Sequence, residues 1–172
     1  MKVSNLFLAV ALMVVMGGCH NQNTKTTESD VKKAEAALFN EDQTVNAEAA
    51  TDVVAVYSKY VEENPEAADA PEMLFKAIDV SVNTKQDPQQ SIALVDKLVT
   101  NYPKFDKNPV ALFMLASFVY DEQLHDLDKA REAYQKIVDN YPDSPFAKDA
   151  EISISQLGMT PDELVKMFEA QE

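Results

Sequence analysis

Apolar residues recur at helical spacing in three successive stretches of the chain, and each stretch ends at a proline. These prolines are Pro65, Pro103 and Pro142, which fall 38 and 39 residues apart. Counting back from each proline gives matching sets: Val53, Val56, Tyr57, Tyr60, Val61; Ser91, Leu94, Val95, Leu98, Val99; and Ala130, Ala133, Tyr134, Ile137, Val138. Because each set lies on one face of a helix, the pattern predicts three amphipathic helices in register with one another.

A second apolar pattern precedes each of these helices. A Leu-Phe pair recurs at Leu38-Phe39, Leu74-Phe75 and Leu112-Phe113, which predicts a partner helix in every repeat. One helical hairpin cannot bury its own apolar face, so we expect the hairpins to stack. Outside residues 1–18 the chain has a single glycine, Gly158, and this scarcity argues against a β-rich or Rossmann-like fold.

Local signals place most of the helix ends. We expect a first helix from Ser29 to about Phe39, an ambiguous stretch from Asn40 to Ala50, and a helix from Pro71 to about Asn83. Predicted N-caps are Asp87, Asn108, Asp126, Ser144 and Thr160. The last of these opens a capping box with Glu163, and the helix that follows presents Leu164, Val165 and Phe168. We expect that helix to seal the end of the stack.

The stretch from Asn108 to Pro145 resembles the tetratricopeptide repeat. Its aromatic, small and apolar positions follow the family pattern at Phe113, Ala116, Ser117, Tyr120, Ala130, Tyr134 and Pro142. The resemblance implies an all-α, tetratricopeptide-type helical-hairpin solenoid of about three repeats with a C-terminal capping helix. The segment KAREAYQKIVDNYPDSPFAKDA is similar in sequence to the envelope branch of the family, which includes BamD-like lipoproteins and the C-terminal repeats of CpoB.

In that family the first helix of each hairpin lines a groove that binds a protein partner. Placing Phe75 and Phe113 at the family's aromatic position puts seven further residues on the groove side. They are Met73, Lys76, Val80, Asn83, Met114, Phe118 and Asp121. Methionine and phenylalanine suit adaptable capture of an apolar or helical segment. The alternative is that Met114 and Phe118 belong to the core between adjacent hairpins.

The N-terminus has the pattern of a lipoprotein leader. Residues 1–18 carry Lys2 and then an apolar run from Leu6 to Met16, too short to span a bilayer and typical of a signal peptide. Small residues come directly before Cys19, which resembles a lipobox, and the resemblance implies that Cys19 carries the lipid. We therefore expect residues 19–28 to be a flexible tether and residues 29–172 to form the folded domain.

Charge and residue types narrow the possible functions. The formal net charge is −14, which disfavours nucleic acid because phosphate binding requires a basic face. The two histidines, His20 and His125, lie far apart in sequence, and one cysteine cannot form a thiol metal cluster. We expect no cofactor and no metal.

These observations favour a non-enzymatic interaction scaffold that is tethered to the bacterial envelope, facing the periplasm from the outer membrane. Its partners would be envelope proteins, and the sequence leaves its oligomeric state open. Two alternatives remain. One is a cell-wall-acting enzyme with an unrecognised carboxylate site. The other is a purely structural accessory subunit whose own tail fills the groove.

Overall fold

Helices form most of the chain that the computed structural model describes, residues 25–170. They are α1 (Glu28–Ala37), α2 (Ala47–Glu63), α3 (Ala70–Asn83), α4 (Pro88–Asn101), α5 (Asn108–Met114), α6 (Leu127–Asn140), α7 (Pro145–Gln156) and α8 (Pro161–Glu169). α5 continues without a break as a π-helical stretch, Leu115–Gln123. The predicted signal peptide, Cys19 and the first part of the predicted tether lie outside the described residues.

Successive helices pair as hairpins, and the hairpins stack. α1 pairs with α2, α3 with α4, and α5 with its π-helical stretch pairs with α6, while α2 packs on α3 and α6 packs on α7. In residues 25–170 the only β feature is an isolated bridge between Phe39 and Val45, in the loop joining α1 to α2. The predicted all-α, tetratricopeptide-type solenoid is confirmed.

The predicted helix starts are mostly confirmed, because they depend on residues close in sequence. Asp87 accepts a hydrogen bond from the Gln89 N–H, Asp126 from the Lys129 N–H, and Ser144 from the Phe146 N–H. Thr160 and Glu163 form the complete capping box that opens α8. Each cap satisfies one of the backbone donors that the first turn leaves without an intrahelical partner.

The start of α1 differs from the prediction. Thr27, not Ser29, is the N-cap, and it forms a capping box with Asp30. The preceding residue, Thr26, is buried, and its N–H donates to the Glu63 carboxylate at the end of α2. Residues 25–28, which the sequence assigned to the tether, therefore pack as part of the folded domain.

Asn108 was predicted as the N-cap of α5, and this is wrong. The N-cap position belongs to Lys107, which makes no side-chain cap, while Asn108 is fully buried. Its Nδ2 donates to the Tyr102 carbonyl at 2.8 Å and to Tyr141 Oη at 3.2 Å. Through these two hydrogen bonds the Asn108 side chain joins the turns of two successive repeats, and it does not cap a helix.

The proline-closed turns are tied together from one repeat to the next. Tyr102, the residue before Pro103, donates its hydroxyl to the Pro65 carbonyl at 2.9 Å. Three ion pairs also join consecutive repeats: Lys76–Glu35 at 2.8 Å, Lys97–Glu62 at 3.2 Å and Lys107–Glu72 at 2.7 Å. Each is partly exposed, so each contributes about 1 kcal/mol or less. Together they fix how the repeats face one another.

Besides Gln43 in the α1–α2 loop (φ 67°), three turns between helices contain a residue in the left-handed backbone conformation. These residues are Lys85 between α3 and α4 (φ 50°), His125 between the π-helical stretch and α6 (φ 53°), and Gly158 between α7 and α8 (φ 81°). Glycine adopts this conformation without steric cost, whereas other residues pay for it. The sequence analysis gave no such role to Lys85 or His125.

The last helix forms where the sequence predicts but covers little of the stack. No residue of α8 is fully buried, and Val165 and Phe168 are 55% and 53% exposed. The end of the stack is closed by α7 instead, whose outward positions Lys148, Glu151 and Ser155 are polar, although Ile152 on the same helix is 44% exposed. A terminal helix with a mainly polar outer face needs little further cover.

We predict that Lys85→Gly stabilises the protein by about 0.5–1 kcal/mol. The substitution removes the cost of a non-glycine residue in the left-handed conformation, about 1–2 kcal/mol. Glycine also raises the conformational entropy of the unfolded chain, which offsets a smaller part of this gain in stability. Urea unfolding should show a higher midpoint with an unchanged slope. Lys85→Ala is the control, since alanine retains the steric conflict, and a gain for alanine equal to that for glycine would contradict the explanation.

Candidate functional site: clefts between the first helices

The first helices of the hairpins are α1, α3, α5 with its π-helical stretch, and α7. Together with the helices packed against them, they form two clefts at opposite ends of the stack. The N-terminal cleft lies between α1 and α3 and has a volume of about 220 Å³. It is lined by Glu28, Val31, Lys32, Glu35, Tyr60, Asp69, Met73 and Lys76. The C-terminal cleft lies between the π-helical stretch, α7 and α8, with a volume of about 390 Å³. It is lined by Asp121, Tyr134, Ser153, Gln156, Leu157, Gly158, Met159 and Leu164.

Both clefts have a buried tyrosine from a second helix as part of their lining. Tyr60 of α2 is 7% exposed and Tyr134 of α6 is 3% exposed. They occupy neighbouring positions in the repeat pattern, where the apolar body of a tyrosine fills core space and its hydroxyl reaches a polar boundary. The second helix of a hairpin therefore contributes both an apolar ring and a polar hydroxyl to the cleft at each end of the stack.

A network of polar groups orders the N-terminal cleft. Glu35 of α1 accepts a hydrogen bond from the Tyr57 hydroxyl at 2.6 Å and another from Lys76 Nζ at 2.8 Å. The ammonium of Lys76 also lies 5.8 Å from the centre of the Tyr57 ring, a distance at which a cation and an aromatic face attract. Three helices are thus joined through one carboxylate.

These contacts shift the pKa values of the groups concerned. Hydrogen bonds from Lys76 and then Tyr57 hold the pKa of Glu35 below its usual value. Burial, and then the hydrogen bond to Glu35, raise the pKa of Tyr57 well above its usual value. Burial, and then the hydrogen bond to Asp69, raise the pKa of Tyr60. At neutral pH Glu35 is therefore charged and both phenols are neutral donors.

The C-terminal cleft is arranged differently. Burial raises the pKa of Tyr134, while the nearby hydroxyls of Ser117 and Ser153 act in the opposite direction. The ring of Tyr134 packs edge-on against Phe113, with the ring centres 5.1 Å apart. Asp121 supplies a carboxylate at the wall, and Leu164 is the residue through which α8 reaches the cleft.

The structure distributes the seven predicted groove residues over several places. Met73 and Lys76 line the N-terminal cleft and Asp121 lines the C-terminal cleft. Val80 is half-buried, and the exposed Asn83 donates its amide to Asp79 on its own helix. Met114 is buried at 8% exposure, whereas Phe118 is 40% exposed. The core alternative therefore holds for Met114 but not for Phe118.

The π-helical stretch explains why these two residues differ. Its hydrogen bonds skip one residue more than those of an α-helix, as in the Leu124 N–H to Val119 carbonyl bond at 3.0 Å. The wider turn rotates the side chains that follow Met114, so Leu115, Ala116 and Val119 are buried and Phe118 faces outward. The spacing of apolar residues in the sequence did not predict this change of helical pitch.

Sequence reasoning missed Glu35, Tyr60 and Asp69 as members of a cleft. A usable signal was present, because a buried tyrosine needs a hydrogen-bond partner for its hydroxyl. The partner's identity depends on how α1 and α3 approach α2, which apolar spacing alone does not fix. Tyr60 Oη lies 3.0 Å from one oxygen of Asp69, at the start of α3.

The described residues contain neither a metal cluster nor a membrane-spanning helix. Among residues 25–170 no group of three or more histidine, cysteine, aspartate or glutamate side chains is placed to hold a metal ion. No helix in that range has both the length and the apolar character needed to cross a bilayer.

Comparison with known proteins finds a family model that matches one segment of the chain. Residues 110–144, which contain most of α5 and its π-helical stretch and all of α6, match the family model described as tetratricopeptide repeat. No curated protein sequence matched the chain. The match falls on the third hairpin, in the stretch whose residues carry the resemblance.

We predict that Glu35→Gln destabilises the protein at neutral pH by roughly 1 kcal/mol, because a charged, partly exposed hydrogen-bond acceptor is lost. A carboxylate whose pKa is lowered by folding contributes stability above its unfolded value, and that contribution is lost as the pH falls through the folded-state value. The difference between wild type and variant should therefore shrink below about pH 4.5, the ordinary value for glutamate. Urea unfolding at pH 7 and pH 3.5 measures it.

The matched control for that experiment is Glu41→Gln, which removes the same charge from an exposed position in the α1–α2 loop. A difference for Glu35→Gln that stays constant from pH 7 to pH 3.5 would contradict a role for its charged form.

We predict that Met114→Glu lowers the free energy of unfolding much more than Phe118→Glu does. Met114→Glu places an uncompensated charge in the core and should cost about 3 kcal/mol or more. Phe118→Glu changes a residue that already contacts solvent and should cost about 1 kcal/mol or less. Thermal unfolding followed by circular dichroism compares the two, and equal losses would show that Phe118 is packed as core.

Proposed function

We propose that this chain is a non-enzymatic interaction module that binds a segment of a protein partner along its first helices. The observation that carries the proposal is the pair of clefts between successive first helices, each lined by a buried tyrosine from a second helix. The tetratricopeptide match at residues 110–144 supports it, because that fold typically serves as an interaction module.

The clefts have a size and chemistry suited to peptide side chains. Volumes of about 220 and 390 Å³ accommodate individual side chains of a partner segment. Met73 supplies an adaptable apolar wall in the first cleft, while Lys32 and Glu28 offer charges of both signs. Apolar walls with a few fixed polar groups are typical of sites that orient one ligand conformation.

The rival function, a hydrolase acting on cell-wall material, needs a carboxylic acid that keeps its proton near neutral pH. The described carboxylates of the N-terminal cleft do not favour this. Glu35 is held in its charged form by Lys76 and Tyr57, and Asp69 accepts the Tyr60 hydroxyl. Their hydrogen bonds serve the packing of the helices, which supports a binding role.

We further propose that Cys19 carries a lipid that anchors the module to a bacterial envelope membrane, facing the periplasm. The support is the sequence alone: an apolar run followed by two glycines and the chain's single cysteine. Mass spectrometry of the mature N-terminus tests the anchor. A diacylated Cys19 as first residue is expected, and a free thiol there or a retained leader would refute it.

The binding role is tested by crosslinking and affinity capture from detergent-solubilised envelopes, using matched variants in each cleft. Lys32→Glu alters the N-terminal cleft, and Lys33→Glu makes the same charge change on the next residue of α1, outside that cleft. Asp121→Asn alters the C-terminal cleft, and Glu122→Gln is its neighbour outside it. Lys32, Lys33 and Glu122 are exposed and Asp121 is partly exposed, so the fold should persist.

The expected result is a specific partner whose recovery falls at least fivefold with Lys32→Glu or Asp121→Asn and stays unchanged with the two neighbours. Circular dichroism of each variant confirms the fold. Equal recovery with all four variants would refute binding in the clefts. A hydrolytic activity on cell-wall material that Asp121→Asn abolishes would establish the rival function.

A further inference from the structure

An exposed apolar surface lies at the turn between α7 and α8 and on α8 itself, next to the C-terminal cleft, whose lining includes Met159. Its members are Leu127 and Met159, each 38% exposed, with Val165 and Phe168, which are more than half exposed. We call these four residues the C-terminal apolar surface. Leu127 lies against the turn, since its Cδ1 is 3.0 Å from where a side chain on Gly158 would begin.

The packing of the fold does not account for this surface. α7 already closes the stack with outward positions that are polar apart from Ile152, and α8 buries none of its residues. Yet α8 is well specified as a helix, with a complete Thr160–Glu163 capping box and proline in its first turn. A nine-residue helix is marginal in water without tertiary contacts, so its apolar face is suited to a contact beyond this domain.

The charges around the surface are mainly acidic. Asp128 follows Leu127 at the start of α6, and Asp162 and Glu169 flank Val165 and Phe168 on α8. Lys166 is the one basic residue within α8. On α6, Lys129 is paired with Glu132 and Arg131 donates to the Ile154 carbonyl. An apolar patch with an acidic rim is complementary to an apolar face with lysine or arginine at its edges, and it repels a second acidic copy or an anionic lipid surface.

We propose that the C-terminal apolar surface docks an amphipathic helix of a protein partner, with its apolar face on Val165 and Phe168 and basic residues toward Asp128, Asp162 and Glu169. The proposal rests on the proposed function as a protein-binding module and adds a second contact on α8, next to the C-terminal cleft, with which it shares Met159. Pairing of one amphipathic helix with the apolar face of another is an established mode of recognition.

The test uses the full chain and a synthetic probe, since the partner is unidentified. The probe is a helical peptide with leucine at positions i, i+3, i+4 and i+7 and lysine or arginine at the edges of that face. A scrambled peptide of the same composition and a peptide with glutamate in place of the basic residues are the comparisons. Fluorescence anisotropy at low and moderate salt gives the dissociation constants.

The double variant Val165→Gln, Phe168→Gln should weaken binding of the basic peptide at least tenfold. Glutamine is compatible with a helix and adds no charge, and both side chains are more than half exposed, so circular dichroism should be unchanged. Lys166→Gln is the matched control on the same helix, and it should bind as well as wild type or slightly better. The scrambled and glutamate peptides should bind at least tenfold more weakly than the basic peptide.

Three results would overturn the proposal. One is equal binding of the basic peptide to wild type and to the double variant. Another is loss of binding with Asp121→Asn but not with the double variant, which would place the peptide in the C-terminal cleft and leave the proposed function intact. The third is a concentration-dependent dimer in sedimentation that the double variant abolishes, since a second copy would then be the occupant.

Discussion

Small side chains at the helix crossings are the constraint on which the whole stack depends. Ala116 in the π-helical stretch and Ala130 in α6 are fully buried where those segments pack together. In the second hairpin the hydroxyls of Ser81 and Ser91 lie 2.7 Å apart and are buried. A larger side chain at such a crossing would separate the helices or force strain of about 1–3 kcal/mol, and the apolar faces behind it would lose contact. The close approach also explains why hydroxyls are tolerated there, because each satisfies the other.

That constraint also positions the clefts. Once the second helices are held close, their tyrosines project past the small residues and reach the face built by the first helices. Tyr57 then meets Glu35 and Lys76 from two other helices, and Tyr60 meets Asp69. The polar groups that line the N-terminal cleft are therefore positioned by the packing of the helices, and the charged state of Glu35 follows from its position. Recognition and stability share these groups, so substitutions at a rim need a neighbouring control before their effect is assigned to binding.

Much of the fold follows from the sequence because its determinants are local. Caps such as Asp87, Ser144 and Thr160 act within three residues, and in-phase prolines and apolar faces establish the hairpins. Features that depend on tertiary contacts were not accessible. Asn108 has the appearance of a cap but is buried by a turn more than thirty residues away. Met114 and Phe118 look equivalent at α-helical spacing, and only the π-helical pitch separates them. The N-terminal cleft was half predicted, through Met73 and Lys76 but without Glu35, Tyr60 and Asp69.

The hydrogen bonds that cross between repeats determine how such a chain can lengthen by duplication. Tyr102 serves the turn at Pro65, and Asn108 serves the turns at Tyr102 and Tyr141, so donors and acceptors belong to different repeats. A copied segment that ended between these partners would leave hydroxyls and carbonyls unmatched at the new junction. A copy of residues 66–103 ends in a Tyr-Pro pair, so its tyrosine would find the carbonyl of the proline before it. The unit that can be duplicated without loss in this architecture is therefore the interval from one proline to the next, which contains one whole helical hairpin and the turn residues on either side of it.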